Sequence, residues 1–282
     1  MDDYTVIEQD QQFVAFRKRL EARAVRSVAM DLEAEFNLHV YGERFCLLQL
    51  YDGTEEAVID PFSTSIDLIK AFLEDEGLQK ITYDSASDRL LLAKAHGVAV
   101  NAILDLKPAV EILGFERQDL RSVLAETLGV NEAGSKKRFQ RYNWTRRPLD
   151  PDAVRYAVRD VRYLFALKDV LFGMLSRDDL MDRYLTENRR RQERLPDVNR
   201  KPGLFRSSRY QRLNPGQRQE LKRIYDIRER YARELDLPPN TVLANTDLFA
   251  LVSGQIGPAD LRTGRRVPDR VFRALKREIS GM

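Results

Sequence analysis

The order of its apolar segments constrains the fold of this chain more than any other feature of the sequence. Short apolar runs separated by polar turns are typical of adjacent strands, and they occupy residues 25–31, 44–50 and 57–60. After Pro61, helical spacing alternates with further short strands, over residues 65–75, 80–83, 87–96, 102–104 and 108–113. Strands followed by alternating helices and strands predict an α/β fold, with a mixed sheet flanked by helices.

The chain has 282 residues, which suffices for one α/β domain of about 180 to 200 residues and a smaller second one. Residues 191–209 contain two prolines and few large apolar residues, as linkers do. We therefore predict a first domain over residues 1–190 and a second over residues 210–282. Helical spacing within residues 221–231 indicates that the second domain is helical.

The composition excludes several classes of protein. No apolar run approaches the roughly 18 residues that a membrane span needs, and the acidic start lacks the apolar core of a secretion signal. The single cysteine, Cys46, excludes an internal disulfide and fits a reducing compartment, so we expect a cytoplasmic protein that has no membrane partner. Any bound metal must then have oxygen ligands or use His39 and His96.

The net charge of +3 conceals an uneven distribution along the chain. Residues 191–282 carry 20 Lys and Arg against 11 Asp and Glu, whereas residues 1–190 are acidic overall. An acidic part joined to a basic part is typical of an enzyme that acts on a polyanion, although many basic surfaces are merely solvated.

Carboxylates recur where the predicted strands end. Asp31 and Glu33 close an apolar strand, and the two-residue repeat of a strand places both on one face, where they can approach one cation. Asp88 lies where a strand passes into a helix. Taken singly, a solvated strand end and a first-turn aspartate favoured by the helix dipole are the simpler interpretations.

A further group lies on a helix predicted to begin at Asp150, a favourable N-cap followed by Pro151, and to extend past Leu171. Tyr156 and Asp160 are four residues apart and therefore share one face of this helix. We expect them at the margin of its packing face, within reach of the sheet, although a chance pair of boundary residues is simpler in isolation. The arginines predicted to form a separate, solvent-facing stripe are Arg155, Arg159 and Arg162.

A polar stretch over residues 131–148 interleaves basic and aromatic side chains. It is predicted either to contact substrate or to be a solvated connection with Trp144 anchored in the core. Its candidate nucleic-acid contacts are Lys136, Lys137, Arg138, Arg146 and Arg147.

Together and in this order, these segments resemble the DEDD exonuclease superfamily, and its ribonuclease D family in particular. The resemblance covers nearly the whole chain and rests on VAMDLEAE with RFCLLQLYDGTEEAVIDPF, YDSASDRLLL with ILDLKPAVEILG, and NWTRRPLDPDAVRYAVRDVRYL. It implies a ribonuclease H-like sheet and a 3′-5′ exonuclease that releases nucleoside 5′-monophosphates. No histidine follows His96, so the branch that carries a tyrosine ahead of its last aspartate is the one that fits.

The resemblance also implies roles for single residues. The family's metal ligands correspond to Asp31, Glu33, Asp88 and Asp160. These carboxylates would hold two Mg²⁺ or Mn²⁺ ions, which prefer oxygen ligands. Tyr156 would orient the attacking water, because a phenol with a pKa near 10 is a poor base at neutral pH. The chain departs from the family at Leu32, expected to point away from the ligands, and at Asp84, which stands where Asn is usual and would add negative charge near the site.

The basic C-terminal part resembles the helical HRDC domain of ribonuclease D proteins. Its candidate phosphate contacts are Lys222, Arg223, Arg228 and Arg230, unless this face is only solvated or serves for docking. The resulting prediction is two-metal-ion hydrolysis that trims single-stranded 3′ ends of structured RNA, such as tRNA precursors, without a protein partner. A DNA exonuclease of the same superfamily and a non-catalytic nucleic-acid-binding protein are the alternatives.

Overall fold

The computed structural model describes residues 4–130, 139 and 141–281. The chain divides into two compact units, which are Met1–Ala34 with Arg44–Val198, and Glu35–Glu43 with Asn199–Met282. In the described part of the chain, no helix is both long and apolar enough to cross a membrane.

The first unit is built on a six-stranded mixed sheet with the strand order β1-β4-β3-β2-β5-β6. Its strands are β1 (Tyr4–Ile7), β2 (Ser27–Phe36), β3 (Glu43–Tyr51), β4 (Glu56–Ile59), β5 (Gln79–Thr82) and β6 (Ile103–Asp105). β1 runs parallel to β4, and β5 runs parallel to β2 and β6, whereas β3 and β4 are antiparallel. The mixed sheet that the order of apolar segments predicts is therefore present.

Helices cover both faces of the sheet. They are α1 (Asp10–Ala22), α2 (Ile66–Leu73), α3 (Ala86–His96), α4 (Lys107–Ile112), α5 (Leu120–Leu128), α6 (Pro151–Arg162), α7 (Leu164–Arg177) and α8 (Met181–Glu193). The first three bury their apolar residues against one face, and α4 to α8 contribute to the cores on the other. The sequence patterns described above do not predict β1, α1 or α5.

The helix predicted from Asp150 begins as expected, with the Asp150 carboxylate accepting a bond from the Asp152 amide at 2.9 Å. The prediction that it continues past Leu171 as one helix is wrong, because α6 ends at Arg162 and α7 begins after Tyr163. Buried apolar residues continue at helical spacing through the break, from Val161 onward, so the sequence pattern carries no sign of it.

Strand β6 lies at the edge of the sheet, and side chains of α8 bind its outer backbone groups. The Tyr184 hydroxyl donates to the Asp105 carbonyl at 3.0 Å. Asn188 accepts from the Asp105 amide at 3.1 Å and donates to the Ile103 carbonyl at 3.2 Å, while Gln192 accepts from the Ile103 amide at 3.1 Å. Because Tyr184, Asn188 and Gln192 recur every fourth residue, one face of the helix takes the place of a further strand.

From Asn199 onward, the described part of the second unit is helical, as predicted. Its elements are α9 (Gly203–Arg206), α10 (Ser208–Gln211), α11 (Pro215–Glu234), α12 (Pro239–Val242), α13 (Asn245–Val252), a 3₁₀ turn (Pro258–Asp260) and α14 (Asp269–Ser280). A reciprocal capping box between Asn214 and Gln217 starts α11. The segment predicted as a linker, residues 191–209, is partly helical, because it contains the end of α8, all of α9 and the start of α10.

Candidate active site

Strand β2 presents Asp31 and Glu33 on the face of the sheet that α6 and α7 cover. Side chains alternate along a strand. Leu32 is buried with α1 to α3 on the opposite face, while Ala29 packs in the core that contains α7. Asp31 and Glu33 have the same parity as Ala29, so they point toward α6 and α7, and Leu32 points away from them as predicted.

Helix α6 brings Tyr156 and Asp160 to the same region. Its fully buried residues, such as Ala157 and Val158, pack on the sheet, and both Tyr156 and Asp160 lie half-buried at the margin of that packing face. The ring of Tyr156 packs against Phe139, with ring centroids 5.4 Å apart. This contact restricts the orientation of the tyrosine ring.

Asp88 lies in the first turn of α3. Residues 83–85 form the junction that connects the end of β5 to this helix. Asp84 in this junction has a left-handed backbone, with φ at 62°. Asn and Asp adopt this conformation more readily than other residues with side chains, which explains why Asp can stand where Asn is usual. Its side chain is exposed, and its charge raises the pKa of Asp88, so the predicted addition of negative charge near the site is observed.

The pKa shifts join the four carboxylates into one electrostatic cluster. Burial first, and the charge of Asp88 second, raise the pKa of Asp31 to about 8. Burial, followed by the charges of Asp84 and Asp105, raises the pKa of Asp88 to about 7. The pKa of Glu33 is raised well above its ordinary value by burial and then by Asp31, Asp160 and Asp88. Withdrawal from water and mutual repulsion therefore act on the same group of acids.

Such a group fits a divalent cation. Carboxylate oxygens are the hard ligands that Mg²⁺ and Mn²⁺ prefer, and a positive ion relieves both the repulsion and the lost hydration. Within the described residues, no three His, Cys, Asp or Glu side chains already form a closed set of ligands around one point.

Two ion pairs that the sequence patterns do not predict join α6 and the segment before it to β4. Arg162 pairs with the buried Glu56, with one N–H···O bond of 2.7 Å, which joins the C-terminal end of α6 to β4. Arg155, Arg159 and Arg162 are all exposed, as predicted for this stripe, and Arg162 in addition pairs with Glu56. Ahead of the helix, Arg147 binds both carboxylate oxygens of the buried Asp60 at the end of β4.

The position of Arg147 corrects its prediction as a nucleic-acid contact. Besides Asp60, its guanidinium donates to the carbonyls of Cys46, Trp144 and Arg146 at 2.7 to 2.8 Å. All five N–H groups of the side chain are therefore in use within the protein. Trp144 is buried, which agrees with the second interpretation of residues 131–148, a connection that has Trp144 anchored in the core.

The other predicted basic contacts fall into three groups. Arg228 is a correction, because it is only 4% exposed and donates to the Leu243 carbonyl and the Asn245 side chain. Lys222, Arg223 and Arg230 are exposed and stay predictions. Two of them also form ion pairs, Lys222 with Asp226 and Arg230 with Glu278. Arg146 is also exposed, whereas Lys136, Lys137 and Arg138 lie outside the described residues.

A mixed sheet with acidic residues of β2, of the first turn of α3 and of α6 in one electrostatic cluster defines a class of nuclease domain. The model for the 3′-5′ exonuclease family matches residues 4–176, more than half of the chain, and the chain belongs to this family. Members of the DEDD superfamily depend on divalent metal ions.

Ribonuclease D proteins are among its relatives. The ribonuclease D of Xanthomonas oryzae pv. oryzae is 28% identical over 251 residues, which span 85% of this chain and 66% of that protein. The match thus covers slightly less than two thirds of that relative. The predicted membership of the DEDD superfamily, with ribonuclease D as a homologue, is confirmed.

Two solved structures share the fold. The catalytic core of RRP6 from Trypanosoma brucei superposes with a TM-score of 0.78 at 18% identity, covering 99% of this chain and 80% of that one. Escherichia coli RNase D, described as an exoribonuclease involved in structured RNA processing, gives a TM-score of 0.71 at 24% identity, covering 99% of this chain and 76% of that one. The likeness confirms the predicted sheet flanked by helices and followed by a helical part.

Proposed function

We propose that this chain is a metal-dependent 3′-5′ exoribonuclease that trims single-stranded 3′ ends of structured RNA and releases nucleoside 5′-monophosphates. The observation that carries the proposal is the electrostatic cluster of Asp31, Glu33, Asp88 and Asp160 beside Tyr156, within the residues matched by the exonuclease family. RNA is proposed as the substrate because the curated relative is a ribonuclease D. The proposed location is the cytoplasm, since the chain has one cysteine.

The four carboxylates would divide between two Mg²⁺ or Mn²⁺ ions. When bound, such ions supply an activated water and stabilise the oxygen that leaves the phosphodiester. We assign Asp31, Glu33 and Asp160 to the ion on the side of the attacking water. Asp31 is also assigned to the second ion, and Asp88 acts there through bound water.

Tyr156 would orient the attacking water through its hydroxyl. Packing of its ring on Phe139 restricts the direction of this hydroxyl, as a role in positioning water requires. Tyr156 and Asp160 are four residues apart on α6, so their side chains leave the helix on the same face.

For the second unit we propose an HRDC-like helical domain that adds salt-dependent, sequence-independent RNA affinity. The exposed Lys222, Arg223 and Arg230 are the phosphate contacts in this proposal. Arg228 has no part in it, because it is buried.

The test uses 5′-labelled single-stranded RNA and DNA of one sequence, incubated with Mn²⁺ and either the wild-type protein or an Asp31→Asn variant. Stepwise shortening of RNA from its 3′ end, lost in the variant, is the expected result. The ratio of the rates on RNA and DNA decides between the two nucleic acids. RNA that is bound but keeps its length would instead identify a non-catalytic binding protein.

A further inference from the structure

A buried carboxylate outside the proposed metal ligands binds the junction that carries Asp88. Asp105, the last residue of β6, is 6% exposed. Its Oδ1 accepts from the backbone amides of Asp84 and Lys107, both at 2.9 Å. Its Oδ2 accepts from the amide and from the hydroxyl of Ser85, again both at 2.9 Å. Four donors thus converge on one side chain.

These bonds determine where α3 begins. Ser85 is the N-cap residue of α3, yet its hydroxyl does not cap the helix, because it donates to Asp105 instead. The left-handed backbone of Asp84 is strained for a residue with a side chain, and its amide is held by the same carboxylate. The first turn of α3, which contains Asp88, is therefore positioned by Asp105 and not by local capping.

Asp105 is itself held from behind. Its backbone amide and carbonyl bind Asn188 and Tyr184 of α8, respectively. Tyr184 is fully buried and Asn188 is 5% exposed, so these contacts are shielded from water. Bonds shielded in this way keep their geometry more strictly than exposed ones.

We infer that Asp105 is a positioning residue, whose carboxylate fixes the direction in which α3 presents Asp88 to a divalent ion. The inference rests on the proposed function, in which Asp88 belongs to the metal site. Hydrogen-bonded groups behind metal ligands set the orientation of those ligands, and their loss typically weakens metal affinity about 10- to 100-fold.

The Asp105→Asn variant tests the inference without changing side-chain volume. An amide oxygen can accept from one pair of donors, either Asp84 with Lys107 or both groups of Ser85. The amide nitrogen then faces the other pair and meets at least one backbone N–H there, because the Ser85 hydroxyl can turn to accept but a backbone amide cannot. The junction must shift to separate them.

The matched control is Asp52→Asn, in the turn between β3 and β4. The Asp52 side chain is also buried, accepts from the amides of Thr54 and Glu55 at 2.8 and 2.7 Å, and pairs with Arg23 at 2.5 Å. It contacts neither α3 nor α8 in any of these bonds. This variant measures the effect of losing a buried, hydrogen-bonded carboxylate elsewhere in the same unit.

Calorimetric titration with Mn²⁺ and RNA trimming over a range of Mn²⁺ concentrations are carried out on the full chain. For Asp105→Asn we expect about 10- to 100-fold weaker Mn²⁺ binding, a parallel rise in the Mn²⁺ needed for half-maximal rate, and recovery of the rate at high Mn²⁺. The KM for RNA should be unchanged. Asp52→Asn should keep the wild-type Mn²⁺ affinity.

Mn²⁺ affinity in Asp105→Asn equal to that of Asp52→Asn would overturn the positioning role while leaving the proposed function intact. A wild-type protein that neither binds Mn²⁺ nor shortens RNA would refute both. Should Asp105→Asn fail to fold, Ser85→Ala removes one of the four bonds and is expected to weaken Mn²⁺ binding about 2- to 10-fold. Wild-type affinity in that variant would overturn the inference.

Discussion

Replacing Asp31 by Asn should stabilise the metal-free protein while abolishing its activity. In the folded chain the pKa of Asp31 is raised to about 8, chiefly by burial and then by Asp88. In the unfolded chain the group titrates near its ordinary value of about 3.9. At pH 7 folding must therefore either protonate this carboxyl or bury its charge, and Asn requires neither.

The size of the effect follows from the pKa difference. At roughly 1.36 kcal/mol per pKa unit, the difference amounts to about 4 kcal/mol at pH 7. In the wild type, Glu33 and Asp88 can rearrange and reduce the repulsion, which removes part of this cost. We therefore expect Asp31→Asn to raise the free energy of unfolding by about 2 kcal/mol. For a domain of this size that raises the melting temperature by about 4 to 8 °C.

The assay is thermal unfolding of wild type, Asp31→Asn and Asp52→Asn, each with and without Mn²⁺. Wild type should gain stability from Mn²⁺, whereas Asp31→Asn should start higher and gain little. Asp52→Asn should start lower, because it loses its pairing with Arg23, and should respond to Mn²⁺ like the wild type. If Asp31→Asn melts at or below the wild-type temperature without metal, the burial and repulsion of the Asp31 carboxylate do not destabilise the metal-free protein, and the reasoning is refuted.

Other perturbations separate the roles of neighbouring groups. Tyr156→Phe should lower kcat and leave Mn²⁺ affinity nearly unchanged, because only the hydroxyl is lost. Trimming assays measure kcat and calorimetry measures the affinity. A wild-type rate would exclude the role in orienting water. The stabilisation by Mn²⁺ should grow between about pH 6 and about pH 9. The pKa values of Asp31 and Asp88 are raised to about 8 and about 7, so their protonated forms stabilise the metal-free fold at acidic pH. This stabilisation is lost as the pH rises through these two pKa values. Over the same pH range, protons cease to compete with Mn²⁺ for the carboxylates. A melting-temperature shift independent of pH would count against those acids as ligands. Arg147→Gln should lower the free energy of unfolding by about 3 kcal/mol, because it leaves Asp60 buried and uncompensated, whereas Arg146→Gln should mainly weaken RNA binding at low salt. Denaturant unfolding and filter binding distinguish the two arginines, and equal stability of both variants would contradict the structural role of Arg147.

The sheet was predictable because its strands bury apolar residues in short, well-separated runs. The orientation of Asp31 and Glu33 followed from strand alternation alone, and Leu32 does lie on the opposite face. Strand β1 and helix α1 were not predicted. In α1 only Phe13, Phe16 and Leu20 are buried among many polar residues, so its apolar face is narrow.

The contacts that hold the site in place could not be predicted from the sequence. Arg146 and Arg147 are adjacent and chemically identical, and only the fold places Asp60 and three carbonyls around the second of them. Asp105 resembles any other aspartate at the end of a strand. Its role depends on the amides of Asp84 and Ser85, which lie about 20 residues away in the sequence.

Shortened versions of this chain are constrained by the side chains of α8 that cover β6. A chain ending at residue 190 would lose Gln192, together with the Arg191 and Gln192 carbonyls that accept bonds from Arg89 at 2.7 and 2.8 Å. A chain ending before Tyr184 would leave the outer backbone of β6 open as a template for a strand of another molecule, and we expect it to self-associate and precipitate. An isolated nuclease domain should accordingly extend to Val198, where the first compact unit ends.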